Sequence, residues 1–203
     1  MLFIDKNGMV DAERIVKKRF RTIERGDLDK VNGIVVHQTN SPTAESTFNS
    51  YRDRNATGAH FLIDKNGGIY QTASLHKITW HVGKMKSRCF LEKKCELTEL
   101  KVISSLERNW RNSKKISDRE RAKKFPVRFP ANSDSIGIEI VGMAYDVDGE
   151  TDKIYEEVND VQNAALKWLI SELTETLAVA RTEIYRHPEI ARKNATEAST
   201  AKW

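Results

Sequence analysis

Proline, cysteine and long apolar runs are scarce in this chain of 203 residues, which has four prolines, two cysteines and ten glycines. So little proline and glycine excludes a collagen-like or low-complexity protein. The two cysteines, Cys89 and Cys95, match neither a CxxC motif nor a zinc ribbon. They either close one disulfide in an oxidising compartment or stay free thiols. No stretch approaches the ~20 apolar residues of a membrane-spanning helix. Only Met1 to Ile4 are apolar before Asp5, so a Sec signal is not expected, and the protein either stays in the cytosol or leaves by another route.

Hydrophobic residues at 39% and charged residues at 31% support one core with a well-solvated surface, read as a single domain over 1–203. The net charge is +5. Such a balance serves solubility alone or attracts an anionic polymer or surface. Without an RNA-binding signature or an Arg-rich helix, nucleic acid is not the expected partner.

Near the N-terminus, Ile15, Val16, Phe20 and Ile23 fall close to helical spacing, which predicts an amphipathic helix over 11–25 within an N-terminal helical extension of about 1–28. The continuous β-branched run Ile34-Val35-Val36 predicts a buried strand. Residues 44–52 predict a helix, and AHFLIDKNGGIYQ predicts two strands joined at Asn66-Gly67. FIDKNG at 3–8 nearly repeats the start of that hairpin, but one such pair does not make a repeat protein. Residues 84–131 are charged and irregular and read as a basic insertion with a helix around 96–110. SIGIEIVGM predicts another buried strand. Residues 155–179 predict the longest helix, with Val158, Val161, Ala165, Trp168, Leu169, Leu173 and Leu177 on its core face. Strands interspersed with helices indicate an α/β domain with a central mixed sheet flanked by helices.

Of five histidines, two share a setting: His37 follows the buried run IVV, and His187 follows IYR. A polar residue at the end of a buried strand often lines a cleft, although a lone histidine there is more often structural. Glu139 interrupts the apolar strand SIGIEI. Buried charge requires pairing or a function. By strand alternation Glu139 faces away from Ile138 and Ile140, and Gly137 beside it permits a close approach. His60 opens a strand and reads as structural, and His76 reads as a surface residue.

The order VVHQT, GAHFLIDKNGGIYQ, TWHVG, NSDSIGIEIVG and RHPEI resembles the type-2 N-acetylmuramoyl-L-alanine amidases, over roughly residues 30–83 and 132–203. The resemblance implies a central mixed sheet with Zn2+ in an open groove, and peptidoglycan as substrate. It implies His37 and His187 as metal ligands. The third ligand in that family lies eight to ten residues later, commonly in Lys-Thr-Asp-Pro-Gly. Here the position ten residues on is Glu197, preceded by Thr196 and without Pro-Gly, and Glu189 is the other acidic choice. Two neutral imidazoles and one carboxylate would leave zinc a net +1 and able to activate water.

The resemblance further implies Glu139 as general base and Lys193 as the oxyanion's cation, although Lys193 lies four residues before the third ligand instead of two. His81 of TWHVG is implied as a substrate-groove residue, against a structural reading in the loop. The function implied is hydrolysis of the lactyl amide between muramic acid and L-alanine. The role expected is an exported antibacterial effector or phage-type lysin acting in the periplasm of a target or host cell, as a monomer, with a cognate immunity protein as a candidate partner. Two other readings remain open: a recognition module that binds peptidoglycan without cutting it, and a different zinc hydrolase.

Overall fold

A computed structural model describes residues 1–203. The chain opens with short strands: β1 (Phe3–Ile4), β2 (Val10–Asp11), β3 (Ile15–Lys17) and, after a 3-10 turn, β4 (Glu24–Asp27). β5 (Gly33–Gln38) is buried at every position, as its β-branched run predicts. Helix α1 (Ala44–Tyr51) starts at Thr43, whose hydroxyl accepts from the Ser46 amide. β6 (Phe61–Ile63) and β7 (Ile69–Gln71) form the expected hairpin, with Gly67 at φ +80°. The FIDKNG echo has a structural meaning, since β1 and β2 are joined by the same turn with Gly8 at φ +73°. β8 (Lys77–Thr79) pairs with β4.

Residues 84–131, expected as an insertion, contain helices α2 (Arg88–Leu91), α3 (Leu97–Glu107) and α4 (Ser113–Arg121). α3 is the helix expected around 96–110. Cys89 and Cys95 are joined as a disulfide. Then follow β9 (Ser135–Ile140), a small hairpin of β10 (Ala144–Tyr145) and β11 (Ile154–Tyr155), helix α5 (Asp160–Leu177), β12 (Ile184–Arg186) and α6 (His187–Ile190).

Six strands form one mixed sheet in the order β12-β5-β9-β6-β7-β3. β12, β5, β9 and β6 run parallel, and β6 and β7 antiparallel. Alternation separates the two faces. Ile34, Val36, Ile136, Ile138 and Ile140 pack with Ala165, Leu166, Leu169, Ile170 and Leu173 of α5. On the other face Val35 packs with Val82, Met85, Phe129 and Ile190, so the roots of the insertion and α6 cover it.

Two expectations are corrected. Residues 11–25 form strands and a 3-10 turn, not an α-helix. β3 gains a partner in β7, with Ile15 opposite Ile69, and sheet pairing outweighs a helical spacing carried by only four apolar residues. Ile15 is buried there while its neighbours Val16 and Lys17 are exposed. The long helix starts at Asp160, because Asn159 and Gln162 form a capping box. Its core face therefore includes Leu166 and Ile170 and leaves Val161 exposed.

Candidate active site

Parallel strands end together, and cavities form at their carboxyl ends. His37 lies directly opposite Glu139 across β5 and β9, and Arg186 pairs with Val36, which brings His187 beside His37 just beyond β12. Glu197 arrives from the C-terminal tail. Tyr155 and Lys153 of the β10–β11 hairpin bond Thr196, and Gln38 accepts the Ala198 amide at 3.2 Å, so the tail is held on both sides of Glu197.

Three ligand-type atoms converge. His37 Nδ1 lies 2.8 Å from His187 Nδ1 and 3.5 Å from Glu197 Oε1, and His187 Nδ1 lies 2.9 Å from that oxygen. All three residues are buried. Donor atoms around a tetrahedral zinc lie about 3.3 Å apart, so the spacing fits.

The hydrogen bonds also assign the protons. Ser135 Oγ donates to the Ala131 carbonyl at 2.6 Å and therefore accepts from His81 Nε2 at 3.2 Å. His81 Nδ1 then carries a lone pair and accepts from His37 Nε2 at 3.0 Å. That leaves His37 Nδ1 as a lone pair facing the centre. His187 Nε2 donates to the Val82 carbonyl at 2.8 Å, so its Nδ1 is a lone pair too. Burial pushes His37 down to about 4, helped by His187, so its ring is neutral at pH 7. Burial alone would raise Glu197, but the His187 and His37 rings against its oxygen outweigh this and hold it well below the usual carboxylate range. Two lone pairs and a carboxylate oxygen with no proton among them make an electron-rich pocket, and a cation fits it.

Glu139 faces away from the α5 side, as the alternation predicts. Its Oε2 is buried without a hydrogen-bond partner. Burial, and then the negative charge of Glu197, push its carboxyl up to about 8, against the opposing charge of Lys193. Lys193 is exposed and lines a groove with Trp80, His81, Asn132 and Arg121. Arg25 stacks over the exposed Trp80 ring at 4.5 Å. His81 borders this groove, but both its ring nitrogens are engaged inside the protein. The ring sits close because Gly137 has no side chain; a Cβ there would lie 2.9 Å from it.

His60 is a structural residue, bonded to the Lys77 carbonyl at 2.9 Å and the Gly137 amide at 3.1 Å. His76 is exposed. Glu189 lies outside the cluster and accepts from the Arg186 amide at 2.6 Å, closing the first turn of α6. Sequence reasoning missed Ser135 and Asn132, whose side-chain oxygen accepts the His81 and Val82 amides. The alternation Ser135-Gly137-Glu139 on one face was the available signal for Ser135.

The N-acetylmuramoyl-L-alanine amidase family matches residues 27–200. No curated protein sequence matches the chain. Among solved structures, a selenomethionine AmpD derivative aligns with a TM-score of 0.56 at 17% identity, covering 96% of this chain and 93% of that one. The catalytic domain of XlyA aligns with a TM-score of 0.51 at 18% identity, covering 88% and 87%. AmpDH3 from Pseudomonas aeruginosa, in complex with anhydromuramic pentapeptide, aligns with a TM-score of 0.52 at 22% identity, covering 95% of this chain and 60% of that one. At these identities the likenesses establish the fold, and the family match spans most of the sequence. The chain belongs to the N-acetylmuramoyl-L-alanine amidase family.

Proposed function

We propose that the protein is a zinc-dependent N-acetylmuramoyl-L-alanine amidase that hydrolyses the lactyl amide between muramic acid and L-alanine of peptidoglycan. The observation that carries this reading is the convergence of His37 Nδ1, His187 Nδ1 and Glu197 Oε1, three proton-free donors within 4.8 Å of one another. When bound, zinc supplies Lewis-acid activation of water and of the amide carbonyl. Glu139 Oε2, without a partner of its own, takes the proton of the attacking water and passes it to the departing amine nitrogen. A cation that neutralises Glu197 removes one of the two causes holding the Glu139 carboxyl high, and this favours the basic form. Lys193 Nζ has no carboxylate partner and faces the groove, where it balances the charge that develops on the carbonyl oxygen. His81 acts through His37 as a positioning residue and keeps neither ring nitrogen for substrate.

The solved complex of AmpDH3 with a muropeptide supports a peptidoglycan fragment as substrate. The Cys89–Cys95 disulfide supports an oxidising compartment such as the periplasm, as an exported antibacterial effector or a lysin requires. A monomer, countered by an immunity protein in the effector case, completes the reading.

Digestion of purified sacculi, followed by mass spectrometry, tests the chemistry. The expected products are free stem peptides beginning with L-alanine and intact glycan strands. Release of shortened glycans, or of peptides cut at their cross-links, would overturn the reading. Targeting the protein to the periplasm of a bacterial host should lyse it, while cytosolic expression should not.

A further inference from the structure

The charge of this protein is unevenly distributed. Residues 84–131 hold 15 of the 34 Lys and Arg but only 6 of the 29 Asp and Glu, a net +9 against −4 for the rest of the chain. The acids of the α3–α4 hairpin are turned to internal pairing. Glu99 binds Arg119 and Lys123, Glu120 binds Lys123, and Glu107 binds Arg192 of the catalytic tail. Ile103 fills the buried side of α3. On the outer side, Leu97, Lys101 and Arg108 recur at helical spacing and are exposed. Trp110, at the turn between the helices, is 76% exposed, with the Arg111 guanidinium 5.9 Å from its ring. Lys101, Arg108, Arg111 and Lys115 make no ion pair. The hairpin thus pairs its acids internally and leaves exposed, unpaired cations, Arg111 among them beside a bare indole.

We propose that this outer face of the α3–α4 hairpin is a docking surface for intact peptidoglycan, holding the enzyme on the polymer while the groove cuts it. The inference rests on the amidase reading and deepens it. The two halves of the surface match the two halves of such a polymer. Stem peptides bear carboxylates, which suit unpaired lysines and arginines. Glycan strands present the C–H faces of sugar rings, which suit an exposed indole.

The surface is also mechanically coupled to the site. Lys86 N donates to the Ile190 carbonyl at 2.8 Å and Arg192 N to the Lys84 carbonyl at 2.8 Å, so the insertion's root is stitched to the tail that carries Lys193 and Glu197. Arg121, in the last turn of α4, reaches the groove itself and donates to the Gly83 carbonyl at 2.7 Å. The acids Asp146, Asp148, Glu150 and Asp152 of the β10–β11 hairpin lie in another part of the chain, so the basic excess stays concentrated in residues 84–131. An anionic polymer meeting this field is drawn to α3–α4 first.

The test is pelleting of the full-length zinc-loaded Glu139→Gln variant with purified sacculi across a salt series. A second background with Lys101, Arg108, Arg111 and Lys115 all changed to Glu should bind on the order of tenfold more weakly at low salt, with the gap closing as ionic strength rises. Trp110→Ala, a single change at an exposed site, should also weaken binding and keep the fold. A matched reversal of Lys6, Lys30, Arg54 and Lys202, all exposed, should leave binding near the parent level. With Glu139 restored, the hairpin variants should cut a soluble disaccharide–pentapeptide at the parent rate but digest sacculi more slowly. Equal binding by the hairpin variants, an equal loss from the matched reversal, or tighter pelleting with anionic phospholipid vesicles than with sacculi would overturn the proposal. If the parent cuts no soluble fragment, the amidase reading fails, while hairpin-dependent, salt-sensitive binding to sacculi would still support the docking surface.

Discussion

At residue scale, the site assigns separate tasks to its carboxylates. Glu139→Gln keeps the shape of the side chain and removes its proton acceptor, so bound zinc should be retained while turnover falls by roughly a hundredfold or more. Metal analysis beside a rate measurement checks this, and loss of zinc would make Glu139 a ligand. Glu197→Ala should cost most of the zinc affinity, whereas Glu189→Ala should cost only about 1 kcal/mol of stability through the lost bond to the Arg186 amide. Competition with a chromogenic chelator, alongside thermal melts, separates the two.

Ser135→Ala should weaken zinc binding by roughly 10–100-fold, because the chain that fixes the proton on His37 Nε2 loses its anchor. Ser135→Thr, which restores the hydroxyl, should recover part of it. The grouping of His37, His187 and Glu197 was legible only because their motifs resemble a family. The supporting Ser135 and Asn132 were not, since small polar residues look alike in sequence until the fold sets one against the His81 ring and the other against its backbone amide.

At element scale, the legible parts were those whose local signal agreed with their packing. β5 carries a continuous β-branched run and β9 alternating isoleucines, with Ile34, Val36, Ile136, Ile138 and Ile140 packed on α5, and the Asn66-Gly67 turn forces one hairpin geometry. Residues 11–25 were illegible because a few apolar residues fit a helix and a short strand equally, and the partner that decides, β7, lies about fifty residues away. Between α3 and α4, a hydrogen bond from Arg119, followed by Lys123, holds the Glu99 carboxyl down to about 2. Its folded pKa is below the ordinary value near 4.5, so its stabilisation is present above that value and is lost as pH falls towards 2. Hydrogen exchange should show α3 and α4 loosening in that window before the central sheet does. Glu99→Gln should loosen the hairpin already at neutral pH.

At the scale of the whole molecule, the proposed zinc would bind the folded chain and stabilise it by mass action. At free zinc a hundred times its Kd the gain is about 2.7 kcal/mol, which raises Tm by roughly 5–10 °C for a chain of this size. Calorimetry with and without chelator reads that shift, and the His37→Ala protein should not show it.

The adjacent parallel strands β5, β9 and the edge strand β12 come from residues 33–38, 135–140 and 184–186, and His37 and His187 are 150 positions apart. Loops of this length must close before neighbouring strands reward the closure, so contact order is high and refolding is slow. His37, His187 and Glu197 belong to the last pieces to meet, and Glu197 joins only when the tail settles against Gln38 and the β10–β11 hairpin. On the zinc reading, metal capture would therefore be a clock for the end of folding. In a refolding experiment, zinc uptake should lag behind the recovery of secondary structure.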